Sequence, residues 1–132
     1  MSIDRVSNML SMLKNASMAK KPYVEVIYTK QIENISNVLQ EKGFITQVKT
    51  FKPKGKSFKM LHLELAYENG LPKLTDVKRI SKPGHRKYTS YNGISKVAAG
   101  YGVQIISTSR GVLNGDVAKN KKLGGEIICE VR

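Results

Sequence analysis

The sequence predicts an α+β protein of two small units: an N-terminal α-β-α-β-β unit over residues 1–70 and a C-terminal, mostly β unit with one short helix over residues 71–132. Three features predict it. Two apolar stripes of helical spacing lie in the first third of the chain. Leu61-His62-Leu63-Glu64-Leu65 alternates strictly, as a half-buried strand does. Beyond the break at Asn69-Gly70-Leu71-Pro72, short β-forming pieces alternate with tight turns rich in Gly and Pro.

Each element has a local reason. Ser2 can cap a first helix with Asp4 in its first turn, Val6, Met9, Leu10 and Leu13 form its buried stripe, and Lys14-Asn15-Ala16 lies near its end. Tyr23–Ile27 is rich in β-formers and reads as a strand. Thr29 is placed to cap a second helix with the stripe Ile32, Ile35, Val38 and Leu39, and Gly43 stands where a left-handed residue ends such a helix. Phe44–Phe51 and Phe58–Tyr67 read as two strands, with Leu61, Leu63, Leu65 and Tyr67 pointing one way and His62 and Glu64 the other. The connector Lys52–Ser57 holds Pro53 and Gly55 and suits a hairpin loop. In the second unit the strand-like pieces are Thr75–Ile80, Arg86–Tyr91, Val103–Ser107 and Glu126–Val131, with a short helix at Gly115–Asn120.

The charge narrows the function. The formal net charge is +13 with a pI near 9.9, and both units share the excess, which points to a polyanionic partner such as nucleic acid. The acids are also segregated. None lies between Glu41 and Glu64 or between Asp76 and Asp116, so these two stretches are candidate phosphate-facing surfaces. Other classes lack their residues. His62 and His85 sit in no nucleophile–base signature, so no catalytic residue is assigned. Cys129, the one cysteine, lies in an apolar strand and reads as a packing thiol in a reducing compartment. One Cys and two His match no zinc spacing, no phosphate-binding glycine loop is present, and no cofactor is expected. No apolar run is long enough for a membrane span, and no membrane partner is expected.

Two segments carry binding chemistry. Ser107-Thr108-Ser109-Arg110-Gly111 offers three hydroxyls, a cation and an exposed backbone at one point, which suits ribose hydroxyls, phosphate oxygens and base edges. The same residues fit an ordinary turn whose hydroxyls bond their own backbone, and both readings remain open. The second segment, Lys78 to Tyr88, combines Lys78, Arg79, Lys82, Arg86 and Lys87 with a rigid Pro-Gly turn and an aromatic. Tyr88 and Tyr91 either stack on bases or face the core.

GVQIISTSRGV, followed closely by KLGGEIICEV, resembles the C-terminal signature of the small-subunit ribosomal protein eight family, bacterial and organellar type. KRISKPG, the first-helix ending LKNA and the second-helix ending LQEKGFI extend the resemblance over essentially the whole chain. It departs from the family at His85 after the Pro-Gly turn, at the terminal Arg132, at Met12 and Lys14 in the first helix, and around Leu113–Lys119. The resemblance implies a protein that binds the central domain of small-subunit ribosomal RNA directly, helps assemble the platform, and contacts neighbouring small-subunit proteins. It maps the family's RNA-binding loops onto Ser107, Thr108 and Ser109 with Arg110 and Gly111, and onto Gly124, Gly125 and Glu126. Glu126 is then expected to accept hydrogen bonds from a base or to fix the loop. Arg79, Ser81, Lys82, Arg86, Lys87 and Tyr88 are expected to join them, with Lys54 and Lys56 in the connector and Lys14 and Asn15 on the first helix. Some family members repress their own messenger, so a free-standing RNA-binding repressor using the same surface is the alternative. With a helix predicted from Ser2, no transit peptide is expected, and the protein is expected on a ribosome where it is made, in a bacterial cytoplasm or inside a plastid or mitochondrion.

Overall fold

The computed structural model describes residues 4–132, so the expected Ser2 cap lies outside the described residues. Helix α1 (Arg5–Met18) is capped by Asp4, whose carboxylate accepts hydrogen bonds from the Ser7 N–H at 3.1 Å and the Ser7 hydroxyl at 2.7 Å. Asp4 is therefore the cap and not a first-turn residue. The helix also continues one turn past Asn15, because Ala16 and Ser17 are buried. Strand β1 (Tyr23–Ile27) and helix α2 (Lys30–Glu41) fall where the sequence places them. The Thr29 hydroxyl accepts from the Ile32 N–H at 3.1 Å. At the other end of α2, Gly43 adopts φ +85°, and the Phe44 N–H closes on the Leu39 carbonyl at 3.0 Å.

Strands β2 (Ile45–Phe51) and β3 (Met60–Leu65) complete an antiparallel sheet of order β1-β3-β2. Val24, Val26, Leu61, Leu63 and Leu65 bury one face under the two helices. The β3 strand is shorter than expected. Tyr67 belongs instead to β4 (Tyr67–Glu68), which pairs with β5 (Leu71–Pro72) across Asn69-Gly70. Both turn residues have positive φ, 54° and 78°, the conformation that an Asn-Gly hairpin turn favours.

The second sheet contains β6 (Val77–Arg79), β7 (Tyr88–Thr89), β8 (Val103–Thr108), β9 (Gly111–Asn114) and β10 (Gly125–Val131). Its order is β6-β10-β8-β9, with β7 also on β10. Helix α3 (Gly115–Asn120) follows β9 and is capped by the Asn114 side chain, which accepts from the Val117 N–H at 2.9 Å. The strand expected at Arg86–Tyr91 is cut to two residues, because Tyr91 opens a short 3-10 turn.

A continuous buried cluster runs through both units, from Leu13, Ile35, Leu39, Leu61 and Leu63 to Leu74, Ile105, Cys129 and Val131. Each fully buried Leu or Ile in it contributes about 1.5–3 kcal/mol relative to exposure. Polar links reinforce this packing. Arg79 Nε donates to Asp4 at 3.4 Å, and Lys42 Nζ lies 3.6 Å from Asp116. A second, smaller cluster of Ile94, Ile106 and Ala118, flanked by Tyr91, Leu113 and Ile127, supports the outer end of β8 and β10.

Candidate nucleic-acid interface

The two signature segments meet because β10 lies against both β8 and β7. Register places Tyr88 opposite Glu126, Glu126 opposite Ser107 and Ser107 opposite Val112, so these four share one face of the sheet. Gly125 sits opposite Thr89 on one side and Thr108 on the other. A Cβ at Gly125 would collide with the Ser107 carbonyl oxygen and lie 2.9 Å from its carbon. One at Gly124 would collide with the Thr89 carbonyl oxygen and lie 2.9 Å from Ser90 Cα. The paired glycines are thus what lets three strands converge beside Glu126.

Ser109 and Arg110 form the exposed tip of the β8–β9 hairpin, closed by Thr108 and Gly111. The Thr108 hydroxyl accepts from the Arg110 N–H at 3.1 Å and donates to the Gly111 carbonyl at 2.8 Å. Gly111 adopts φ +107°. The two readings of this segment therefore divide by residue. Thr108 spends its hydroxyl on the turn, whereas among the described residues the Ser107 and Ser109 hydroxyls have no protein partner.

Glu126 is held from the side. Its Oε2 accepts from the Ser81 hydroxyl and from Arg86 Nη1 at 3.1 Å, and its side chain is 19% exposed. Ser81 is fully buried and its Oγ also accepts from the Lys87 N–H at 3.1 Å, so it ties the 81–87 segment to β10. Within that segment Lys82 and His85 exchange backbone hydrogen bonds around Pro83-Gly84, with Gly84 at φ +79°. This rigid turn exposes Lys82, His85, Arg86 and Lys87 beside Tyr88, which is 72% exposed. Of the two tyrosines, Tyr88 is open to a base, whereas Tyr91 packs on the smaller cluster.

Arg79 has a different placement. Its side chain is 11% exposed and bonds Asp4 and the Ile128 carbonyl, the latter at 2.8 Å. Ile128 is the extra residue of a β-bulge in β10, which turns its carbonyl toward β6. Lys14 is paired with Asp76 at 2.9 Å, and that bond, a hydrogen bond from the Val77 N–H and the Lys14 charge hold the Asp76 carboxyl below its usual range. Asn15 is exposed on α1. Lys54 and Lys56 are exposed in the β2–β3 loop, where Lys56 N–H bonds the Pro53 carbonyl at 3.1 Å around Gly55. The structure thus joins Ser107–Gly111, Gly124–Glu126 and Lys82–Tyr88 in one surface, with Ser81 buried beneath it, while Lys14, Asn15, Lys54 and Lys56 stand on the N-terminal unit.

A further exposed aromatic, outside the segments that carry binding chemistry in the sequence, stands on a turn. Tyr101 is 84% exposed between Gly100 and Gly102, and a tyrosine flanked by turn glycines is the signal that marks it. Cys129 is fully buried, and burial pushes its thiol up to about 12. Among the described residues, no three His, Cys, Asp or Glu gather to hold a metal, and no helix is long and apolar enough to cross a membrane.

The family described as ribosomal protein S8 matches residues 4–132. The chain is 40% identical to a small ribosomal subunit protein uS8c of Gracilaria tenuistipitata var. liui, over 97% of each chain. It is 39% identical to the uS8c of Welwitschia mirabilis, over 98% of this chain and 99% of that one. Against the uS8 of Helicobacter acinonychis (strain Sheeba) the identity is 38%, over 97% of each.

Proposed function

The chain belongs to the ribosomal protein S8 family, a structural and non-enzymatic class, and from that premise we propose that it binds the central domain of small-subunit ribosomal RNA directly and helps assemble the platform. The observation that carries this reading is the pinning of Glu126 by Ser81 and Arg86 beside the Ser107 and Ser109 hydroxyls, which have no protein partner among the described residues. It produces a rigid surface in which Lys82, Arg86, Lys87 and Arg110 supply phosphate contacts, while Ser107 and Ser109 supply directional ones. Tyr88 offers an exposed ring face to an unstacked base, as RNA recognition commonly uses. Relatives of both bacterial and plastid type fit a ribosome in either compartment, where other small-subunit proteins are its neighbours. A messenger that copies the ribosomal RNA site would meet the same surface.

Crosslinking followed by sequencing of the bound RNA tests the reading. The expected crosslinks join the 107–110 hairpin and Tyr88 to one short stretch of the central domain. Crosslinks spread over the whole subunit RNA, or confined to the N-terminal unit, would contradict it.

A further inference from the structure

We propose that the free edge of β1 receives, by strand addition, an extended cationic segment of a neighbouring protein. β1 is an end strand of its sheet. Leu65 N–H bonds the Pro22 carbonyl and Tyr28 N–H bonds the Lys59 carbonyl, each at 3.0 Å. Antiparallel alternation then turns the backbone of Val24 and Val26 toward β3 and that of Tyr23, Glu25 and Ile27 outward. Among the described residues nothing bonds those outward N–H and C=O groups. An edge of this kind is a template for another strand unless it is blunted.

Two adjoining hollows of about 200 and 480 Å³ run along that edge beside α1. Met12 and Glu25 line both, with Arg5, Met9 and Met60 in one and Lys21 and Tyr23 in the other, so these hollows offer an apolar floor rather than an acidic one. Methionines make an adaptable apolar lining, and strand addition draws affinity from backbone pairing and specificity from pockets for alternate side chains. The opposite, open face of the sheet carries Glu25 at its edge, with His62 and Glu64 on the central strand and Lys49 on the far strand behind it. His62 lies between Glu25 at 3.0 Å and Glu64 at 3.3 Å.

Charge selects the occupant. Glu25, the one charged side chain of β1, stands on this face at the edge, where it repels RNA phosphate and attracts a cation, in a chain whose net charge is +13. Pairing with a second copy, antiparallel and centred on Glu25, would set two Glu25 side chains opposite one another between two strongly basic molecules. A protein segment with Lys or Arg on the open face and apolar residues toward the methionines meets both demands.

The test uses the full chain and a labelled synthetic peptide of about eight alternating Lys and Val residues, long enough to span the strand. Amide exchange at saturating peptide should slow roughly tenfold or more at Tyr23, Glu25 and Ile27 and stay unchanged at Val24 and Val26. Two versions methylated on alternate amides, one in each phase, should differ, with one phase losing about tenfold in affinity. Glu25→Lys should weaken the unmodified peptide about fivefold at low salt. Equal binding by both methylated peptides, or slowed exchange elsewhere, would overturn the proposal. So would protection of the same amides by an RNA duplex, or by raising the protein concentration alone.

Discussion

Gly125→Ala is expected to destabilise the fold by about 3 kcal/mol and to remove specific RNA binding with it. The added Cβ would meet backbone only: the Ser107 carbonyl oxygen, its carbon at 2.9 Å and Thr108 Cα at 3.2 Å. No flexible side-chain end can swing aside, so β10 must shift away from β8 and pull Glu126 from its place opposite Ser107. Gly84→Ala is the matched control. That glycine has φ +79° but open space around its Cβ position, so the cost there is confined to backbone conformation, about 1–2 kcal/mol. Urea unfolding of the two variants checks the difference. Equal losses would mean that the close strand approach is not what requires Gly125.

Asp4→Ala is expected to cost about 2–3 kcal/mol, roughly 1 from the lost helix cap and the rest from leaving Arg79 without its carboxylate. The Arg79 side chain is only 11% exposed, so water replaces Asp4 poorly. Asp4→Asn keeps a capping oxygen and removes the charge, and should cost less than half as much. Burial pushes the Asp4 carboxyl up, but hydrogen bonds from the Ser7 hydroxyl and N–H, together with the Arg79 guanidinium, outweigh it and hold the pKa below 3.8. A carboxyl with a lowered folded pKa stabilises fully above its unfolded value and loses that contribution as the pH falls through the folded one. The gap between wild type and Asp4→Asn should therefore be complete above the carboxylate range and close as the pH drops below 3.8. Urea midpoints across that range measure it, and a gap that widens in acid would contradict the assigned pairing.

Elements governed by neighbouring residues were legible in the sequence. β1 and α2 follow from a run of β-formers, a helical stripe and a cap, each lying within a few residues. β9 was not legible, since Gly111–Asn114 becomes a strand only through pairing with β8 across a two-residue turn. Tyr67 left the expected β3 strand for the same kind of reason, drawn into a separate hairpin by Asn69-Gly70. The hydroxyl hairpin could be picked out by composition, but its division of labour could not. Whether Thr108 or Ser109 serves the turn depends on a single backbone geometry. The setting of Glu126 was hidden further still. Its partners Ser81 and Arg86 lie 45 and 40 residues away, and only the convergence of β7 and β10 brings them together.

Under the proposed function, Ser107 and Ser109 read the RNA while the surrounding cations hold it. Affinity of Ser107→Ala and Ser109→Ala for a central-domain RNA fragment and for an unrelated duplex, at one fixed salt concentration, tests it directly. Each variant should lose about 1–3 kcal/mol with the cognate fragment, the range for a polar contact left unmade, and bind the unrelated duplex as wild type does. Equal losses on both RNAs, or none on either, would contradict the account.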